Sequence, residues 1–328
     1  MPLLAVNHHY FRSAGIGQGI FPTTPDALVA GVNQLRSRWR FGGEENILRY
    51  CDGGHTTEAV CILTFDDGLK EQMRTLALLD QLNVTAMYFV PTAPLVLHEV
   101  LDVHKLHMIR SNLSDAELAA DLQQRFNFQA YEFDDRLLAV QYRYDEPISR
   151  KVKYFLNFVL DSAARVEWTR QRFVAMFGSE RAASEALYMN AEDLRILASR
   201  HLLGTHAHAH LPLATLSAKD AKQEIEKSLD VLENLSGRRP MGISYPFGGQ
   251  SAVSESVFAT AQELGLQYGF TMERGVNTEN EKSPMALKRI DVNDIKAWVD
   301  AYPPLPLTGR IQIRSATLTN RNNEAEDV

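Results

Sequence analysis

The chain has 328 residues, 45% of them hydrophobic, so it is long enough for one large domain or two ordinary ones. Its net charge of −7 argues against a nucleic acid as partner, and no apolar run of about 18 residues predicts a membrane span. The chain has two cysteines and its N-terminus lacks the pattern of a secretion signal, so we expect a reduced, cytoplasmic setting.

Short apolar segments alternate with helical patterns along the chain, and this order predicts parallel strands joined by helices. Before residue 94 the pattern predicts strands at 3–7, 59–65 and 85–90, and helices at 24–39 and 70–82. After residue 186 it predicts helices at 190–200, 217–235 and 255–264, and strands at 202–205, 242–245, 268–271 and 287–290. About seven strand–helix units favour a (β/α) barrel over an open sheet.

A long, mostly helical and charge-rich section at about 94–186 interrupts this alternation. We interpret it as an insertion, which is either a lid over a site or a subdomain that only packs. We expect no catalytic cluster within it. The sequence thus predicts a single domain at 1–314, interrupted by this insertion, and a polar, flexible tail at 315–328.

Two adjacent carboxylates, Asp66 and Asp67, follow a predicted buried strand and precede Gly68. Neighbouring carboxylates repel each other, so a bound cation, or a proton to be transferred, would explain why both are there. The alternative is a solvated Asp-Gly turn after a core strand.

Three histidines in five residues, His206, His208 and His210, follow the predicted strand 202–205. Imidazole is the commonest metal-ligating side chain, and residues four apart converge from a turn. Two histidines and one of the two aspartates would bind a zinc-like divalent ion and leave a position for water, while the other aspartate acts as general base. The alternative is a histidine-rich surface loop.

Thr64–Gly68 reads TFDDG, and Thr205–Pro212 resembles the pattern H-(S/T)-x-x-H with the outer histidines in register. In these motifs the chain resembles the polysaccharide deacetylases with a NodB-homology domain, carbohydrate esterase family four, over about 1–92 and 187–295. The resemblance implies a distorted (β/α)7 TIM-like barrel and the removal of an acetyl group from a sugar. It also implies roles for the motif residues: Asp66 as general base, and Asp67, His206 and His210 as metal ligands.

The third motif of that family, R-x-P-Y-G, corresponds here to Ser244–Gly248 and lacks the arginine that orients the base. The oxyanion donor of this motif is a backbone N–H, so Phe247 can provide it as well as a tyrosine can. We predict that Arg289 reaches the base from another barrel strand. Its alternative role is a surface ion pair.

The general-acid histidine of the family has no obvious counterpart near the C-terminus. We predict that His8, His9 or His208 takes this part. His8 and His9 end the first predicted strand, where barrel active sites gather their residues, and adjacent strand residues point in opposite directions. At most one of these two should therefore face the site.

The leading hypothesis from the sequence is a metal-dependent hydrolase, most typically with Zn²⁺, acting on a carbohydrate that bears an acetamido group. A cytoplasmic enzyme would meet a nucleotide-linked or lipid-linked sugar or a growing surface polysaccharide. One alternative is a catalytically impaired carbohydrate-binding module. Another is a zinc amidohydrolase that uses His206 and His208 as an H-x-H pair.

Overall fold

The computed structural model describes residues 2–13, 22–53, 58–142, 145–278 and 283–301, and the structural statements below concern these residues. The predicted tail at 315–328 lies outside them. None of the helices in the described ranges is long and apolar enough to cross a lipid bilayer.

Eight strands are present in the described residues: β1 (Leu3–His8), β2 (Arg40–Phe41), β3 (Val60–Phe65), β4 (Ala86–Val90), β5 (Leu203–Thr205), β6 (Gly242–Ser244), β7 (Tyr268–Phe270) and β8 (Ile290–Asp291). They form one parallel sheet in the order β7-β6-β5-β4-β3-β1-β8, and β2 pairs with β3 outside this path. The fold is therefore α/β and of the predicted (β/α)7 barrel type.

The helices of the barrel are α1 (Pro25–Arg36), α2 (Glu44–Cys51), α3 (Arg74–Gln81), α11 (Ala191–Ser199), α12 (Ala218–Ser236), α13 (Glu255–Glu263) and α14 (Ile295–Ala301). Those of the insertion are α4 (Ala93–Leu97), α5 (Asp102–Asn112), α6 (Asp115–Phe126), α7 (Asp135–Gln141), α8 (Pro147–Tyr154), α9 (Ser162–Phe177) and α10 (Glu180–Leu187). The helix predicted at 70–82 is divided, because Lys70–Met73 forms a 3₁₀ turn ahead of α3.

The segment from Leu287 to Asp291 joins the two edges of the sheet. Leu287 forms a parallel bridge with Phe270 of β7, whereas Ile290 and Asp291 pair with β1. A regular strand over 287–290 was predicted, but only β8 forms, because the segment leaves one edge to reach the other. Arg289 lies in the middle of this crossing and is fully buried.

Alternate residues of β1 and β3 serve two different cores, as the two-residue period of a strand requires. Leu3, Ala5 and Ile62 pack inside the barrel with Phe89 and Phe270. The intervening residues, including Val6, Leu63 and Phe65, pack against the surrounding helices. Along β1 and β3 the inner row continues into Asn7 and Thr64, which places polar side chains at the carboxyl end of the barrel.

The insertion has a hydrophobic core of its own, which includes Ile109, Leu118, Trp168 and Phe173. Tyr10, from the segment after β1, belongs to the same cluster. The insertion thus packs onto the carboxyl end of the barrel, where the polar residues lie. The division of the chain into domains stays a prediction.

Candidate metal and catalytic site

Asp66 and Asp67 have different backbone conformations, so their carboxylates point in different directions. Asp66 continues β3, and its N–H donates to the His8 carbonyl at 3.0 Å. Asp67 has a φ of 79°, in the left-handed region, which turns its side chain away from that of Asp66. Such a backbone is uncommon outside glycine and is characteristic of functional sites. Each carboxylate therefore has its own surroundings.

Asp67, His206 and His210 come together as the sequence predicts. The distances from Asp67 Oδ1 are 3.5 Å to His206 Nε2 and 3.3 Å to His210 Nε2. The three ligand atoms lie within 4.8 Å of one another. In a tetrahedral zinc site with bonds of about 2.0–2.1 Å, neighbouring ligand atoms are about 3.3–3.4 Å apart. The two distances from Asp67 Oδ1 are close to that value.

The hydrogen bonds of Asp67 and His206 also fit a metal. Asp67 Oδ1 is buried and, among the described residues, accepts no hydrogen bond. His206 Nδ1 lies 2.6 Å from the Ser244 carbonyl and donates to it, which leaves the Nε2 lone pair directed to the site. Burial acts to raise the pKa of Asp67, but the surrounding imidazoles, first that of His104, lower it well below its usual value. An ionised carboxylate and two imidazole nitrogens suit a zinc-like cation.

Arg289 lies beside Asp66, the residue that the arginine missing from the third motif would be expected to orient. Arg289 Nη1 lies 2.9 Å from Asp66 Oδ2, and the hydroxyl of Ser244 donates to the same oxygen at 2.9 Å. Burial would raise the pKa of Asp66, but the charges of Arg289, His206 and His9 together outweigh it and lower the pKa. A surface ion pair, the alternative for Arg289, is wrong because both side chains are buried. The role of Arg289 in catalysis stays a prediction.

Asn7 and Thr64, the ends of the inner row, hold the guanidinium in place. Arg289 Nη1 donates to Asn7 Oδ1 at 3.0 Å and to Thr64 Oγ1 at 3.2 Å. Because its oxygen is engaged, Asn7 presents its Nδ2 to His9 Nε2, 3.1 Å away. His9 Nδ1 then carries the proton and donates to Asp67 Oδ2 at 3.2 Å. One network of hydrogen bonds thus connects both carboxylates.

Of the three histidines predicted as general acid, only His9 contacts the Asp67 cluster. His8 lies on the outer face of β1, where its ring stacks on Phe65 at a centroid distance of 4.7 Å. His208 Nδ1 is 2.7 Å from the hydroxyl of Thr92, on the loop after β4. The structure does not bring His8 or His208 into contact with Asp67, because strand alternation and the turn direct them to other partners; which histidine acts as general acid stays a prediction. The H-x-H pair of an amidohydrolase does not form for the same reason.

Phe247 lies at the rim of the site with a φ of 61°, and 53% of the residue is exposed. Its ring meets that of His210 edge to face, with centroids 4.9 Å apart. Among the described residues, no acceptor takes the Phe247 N–H. The predicted role of this amide as oxyanion donor stays a prediction.

The insertion, in which the sequence predicted no catalytic cluster, contributes one residue that contacts Asp67. His104, on α5, is fully buried and places Nε2 at 3.3 Å from Asp67 Oδ2. Its other nitrogen lies 2.6 Å from the hydroxyl of Tyr188. The sequence contains a signal for this residue, since His104 and His107 share a helix face at a spacing of three. Nothing in the sequence indicates which barrel residue this face would meet.

Residues 169–269 match the family model described as polysaccharide deacetylase. The peptidoglycan-N-acetylmuramic acid deacetylase PdaC of Bacillus subtilis is 30% identical over 93 residues, which are 28% of this chain and 18% of PdaC. The chain thus matches less than a fifth of the length of this relative. The matched family segment contains His206, His210 and the Ser244–Gly248 loop, but not the aspartate pair.

Solved structures resemble this one over almost the whole chain. The structure of IcaB from Ammonifex degensii has a TM-score of 0.57 at 12% identity, covering 91% of this chain and 96% of IcaB. That of the Streptococcus pyogenes deacetylase PplD in complex with acetate has a TM-score of 0.53 at 13% identity, covering 89% and 92%. At this level of identity the likeness concerns the fold.

Proposed function

We propose that this chain is a metal-dependent hydrolase that removes the acetyl group of an N-acetylated sugar. Its motifs and the segment 169–269 resemble the polysaccharide deacetylases, and its fold is similar to theirs. One observation carries the proposal. Asp67 Oδ1 faces the two imidazole nitrogens of His206 and His210 without a hydrogen bond, and the separately held Asp66 is adjacent in sequence. This arrangement provides a cation site and a base as distinct groups.

Asp67, His206 and His210 would hold the cation, and we propose Zn²⁺ because the donor set combines imidazole with carboxylate. When bound, such a cation supplies a Lewis acid that activates water and polarises the acyl carbonyl. Asp66 accepts the proton of the attacking water, since its lowered pKa keeps it ionised at neutral pH. Arg289 and Ser244 hold the Asp66 carboxylate in one orientation.

Negative charge develops on the carbonyl oxygen as water attacks, and the Phe247 N–H is placed to donate to it. The amine that leaves the sugar needs a proton. His9 is the predicted donor, because among the three candidates only it adjoins Asp67 and its ring is partly open to solvent, with a side-chain exposure of 42%. The hydrogen bond to Asp67 and the charges of Asp67 and Asp66 together raise the pKa of His9 against the effect of burial. Protonation of Nε2 for this role would replace the bond that this nitrogen accepts from Asn7.

The substrate class follows from relatives and chemistry together. PdaC is named a deacetylase of N-acetylmuramic acid, and the PplD structure contains acetate. For this chain we propose a surface-polysaccharide precursor, either lipid-linked or nucleotide-linked, that bears an acetamido group. The cytoplasmic location that this choice assumes stays a prediction from the sequence.

The test is an acetate-release assay with the zinc-loaded protein on a panel of lipid-linked and nucleotide-linked N-acetyl sugars. We expect release from at least one substrate, and loss of release in Asp66→Asn with metal binding retained. Asp67→Asn should lose both. If the wild type binds an acetylated sugar and releases no acetate from any member of the panel, the chain is a binding module and the proposal fails.

A further inference from the structure

The insertion reaches the site through a short chain of hydrogen bonds. His104 lies on α5 and is fully buried, with Nε2 at 3.3 Å from Asp67 Oδ2 and Nδ1 at 2.6 Å from the Tyr188 hydroxyl. Tyr188 follows α10, at the far end of the insertion, and is also buried. The His104 ring of the insertion thus contacts both Asp67 of the barrel and Tyr188, which follows the insertion.

The donor and the acceptor of each of these hydrogen bonds can be assigned in turn. The N–H of Leu101 donates to the Tyr188 hydroxyl oxygen at 3.0 Å. Burial raises the pKa of Tyr188 well above its usual value, so the hydroxyl keeps its proton and donates it to His104 Nδ1. The tautomer of His104 is assigned from this pattern: Nε2 carries the hydrogen and points at Asp67.

The two oxygens of Asp67 are consequently unlike each other. Oδ2 accepts from His9 Nδ1 at 3.2 Å and from His104 Nε2 at 3.3 Å. Oδ1 takes no hydrogen bond in the described part of the chain and faces the other two histidines of the site. Rotating the carboxylate would break both bonds to Oδ2, so these donors keep Oδ1 directed at the cation site.

We infer that His104 is a positioning residue: its Nε2–H holds Asp67 Oδ2 and so presents Oδ1 for metal binding. The packing of the insertion on the barrel thereby contributes to metal affinity. The inference rests on the proposed function in taking Asp67 as a ligand. Partners that orient metal ligands typically change metal affinity or activity by about 10–100-fold when removed.

Zinc affinity of the purified full-length chain, measured by competition with a chromophoric chelator, tests this inference without a turnover assay. We expect His104→Leu to weaken zinc binding by about 10–100-fold. His104→Gln keeps an N–H donor near the position of Nε2 and should retain most of the affinity. Tyr188→Phe removes the proton that fixes the tautomer and should show a smaller loss. The Co²⁺ absorption spectrum should change in His104→Leu, because the coordinating carboxylate is no longer held.

His107→Leu is the matched control. His107 lies one turn along α5 and bonds the Tyr10 hydroxyl at 2.9 Å. We expect it to leave zinc affinity unchanged. Wild-type affinity in His104→Leu overturns the inference, as does an equal loss in His107→Leu or in His104→Gln. If His104→Leu does not fold, wild-type affinity in Tyr188→Phe overturns it.

Asp67→Ala separates this inference from the proposed function. If Asp67→Ala binds zinc as tightly as the wild type does, Asp67 is not a ligand and the proposed metal site fails. If Asp67→Ala loses zinc while His104→Leu binds it normally, the metal site stands and only the role of His104 is wrong.

Discussion

Replacing Arg289 by methionine removes the charge that faces Asp66 and keeps a side chain of similar length. Arg289 is fully buried, and its Nη1 lies 2.9 Å from Asp66 Oδ2. Removing one partner of a buried ion pair leaves an uncompensated charge, at a cost of about 3–5 kcal/mol. We expect this cost to appear partly as lost stability and partly as a higher pKa of Asp66.

The direction of the pH effect follows from the wild type. There the charges of Arg289, His206 and His9 together lower the pKa of Asp66 against burial, so ionised Asp66 favours folding at neutral pH, and this contribution is lost as the pH falls through the lowered pKa. Without Arg289, less positive charge opposes the effect of burial, and the pKa of Asp66 rises. A larger fraction of Asp66 would then be protonated at the acidic pH values over which it titrates.

The assay is the pH dependence of kcat/KM for acetate release, with urea unfolding of the same proteins. We expect the acid limb of the Arg289→Met profile to move to higher pH and the activity near neutral pH to fall. Arg289→Lys, which keeps the charge without the planar donors, should lie between the two proteins. An acid limb at the wild-type position with undiminished kcat/KM in Arg289→Met would refute the reasoning.

Three further outcomes follow from the site and from β1. A chelator should abolish acetate release, and Zn²⁺ should restore it in the wild type but not in Asp67→Asn; full activity after metal removal would contradict the assignment. Phe247→Gly suits a φ of 61° and keeps the backbone N–H, so kcat should be largely retained, whereas a loss above about 100-fold would show that the ring is needed. Burial lowers the pKa of His8 to about 4, so about 3 kcal/mol of stability should be lost as the pH falls from about 6.5 to 4. The free energy of unfolding of His8→Phe, measured in urea, should not show this loss. If the free energies of both proteins change with pH in parallel, the prediction is wrong.

Local sequence determined the strand that carries the aspartates, the motif that divides their roles, and the two histidines four residues apart. These features depend on residues close in sequence, where strand alternation and turn chemistry act directly. The alternation also indicated that only one of His8 and His9 faces the site. It did not indicate which one, because the inner face of β1 is defined only by what the barrel encloses.

Contacts between distant segments decided the rest. Arg289 reaches Asp66 because its segment crosses between the two edges of the sheet, and His104 reaches Asp67 because the insertion packs over the carboxyl end of the barrel. Both residues are separated from their partners by tens of residues or more, and no spacing rule relates positions that only the folded chain brings together. The sequence by itself therefore determined the paired acids and the histidines of the proposed metal site, and only the tertiary structure decided which groups hold each carboxylate in place.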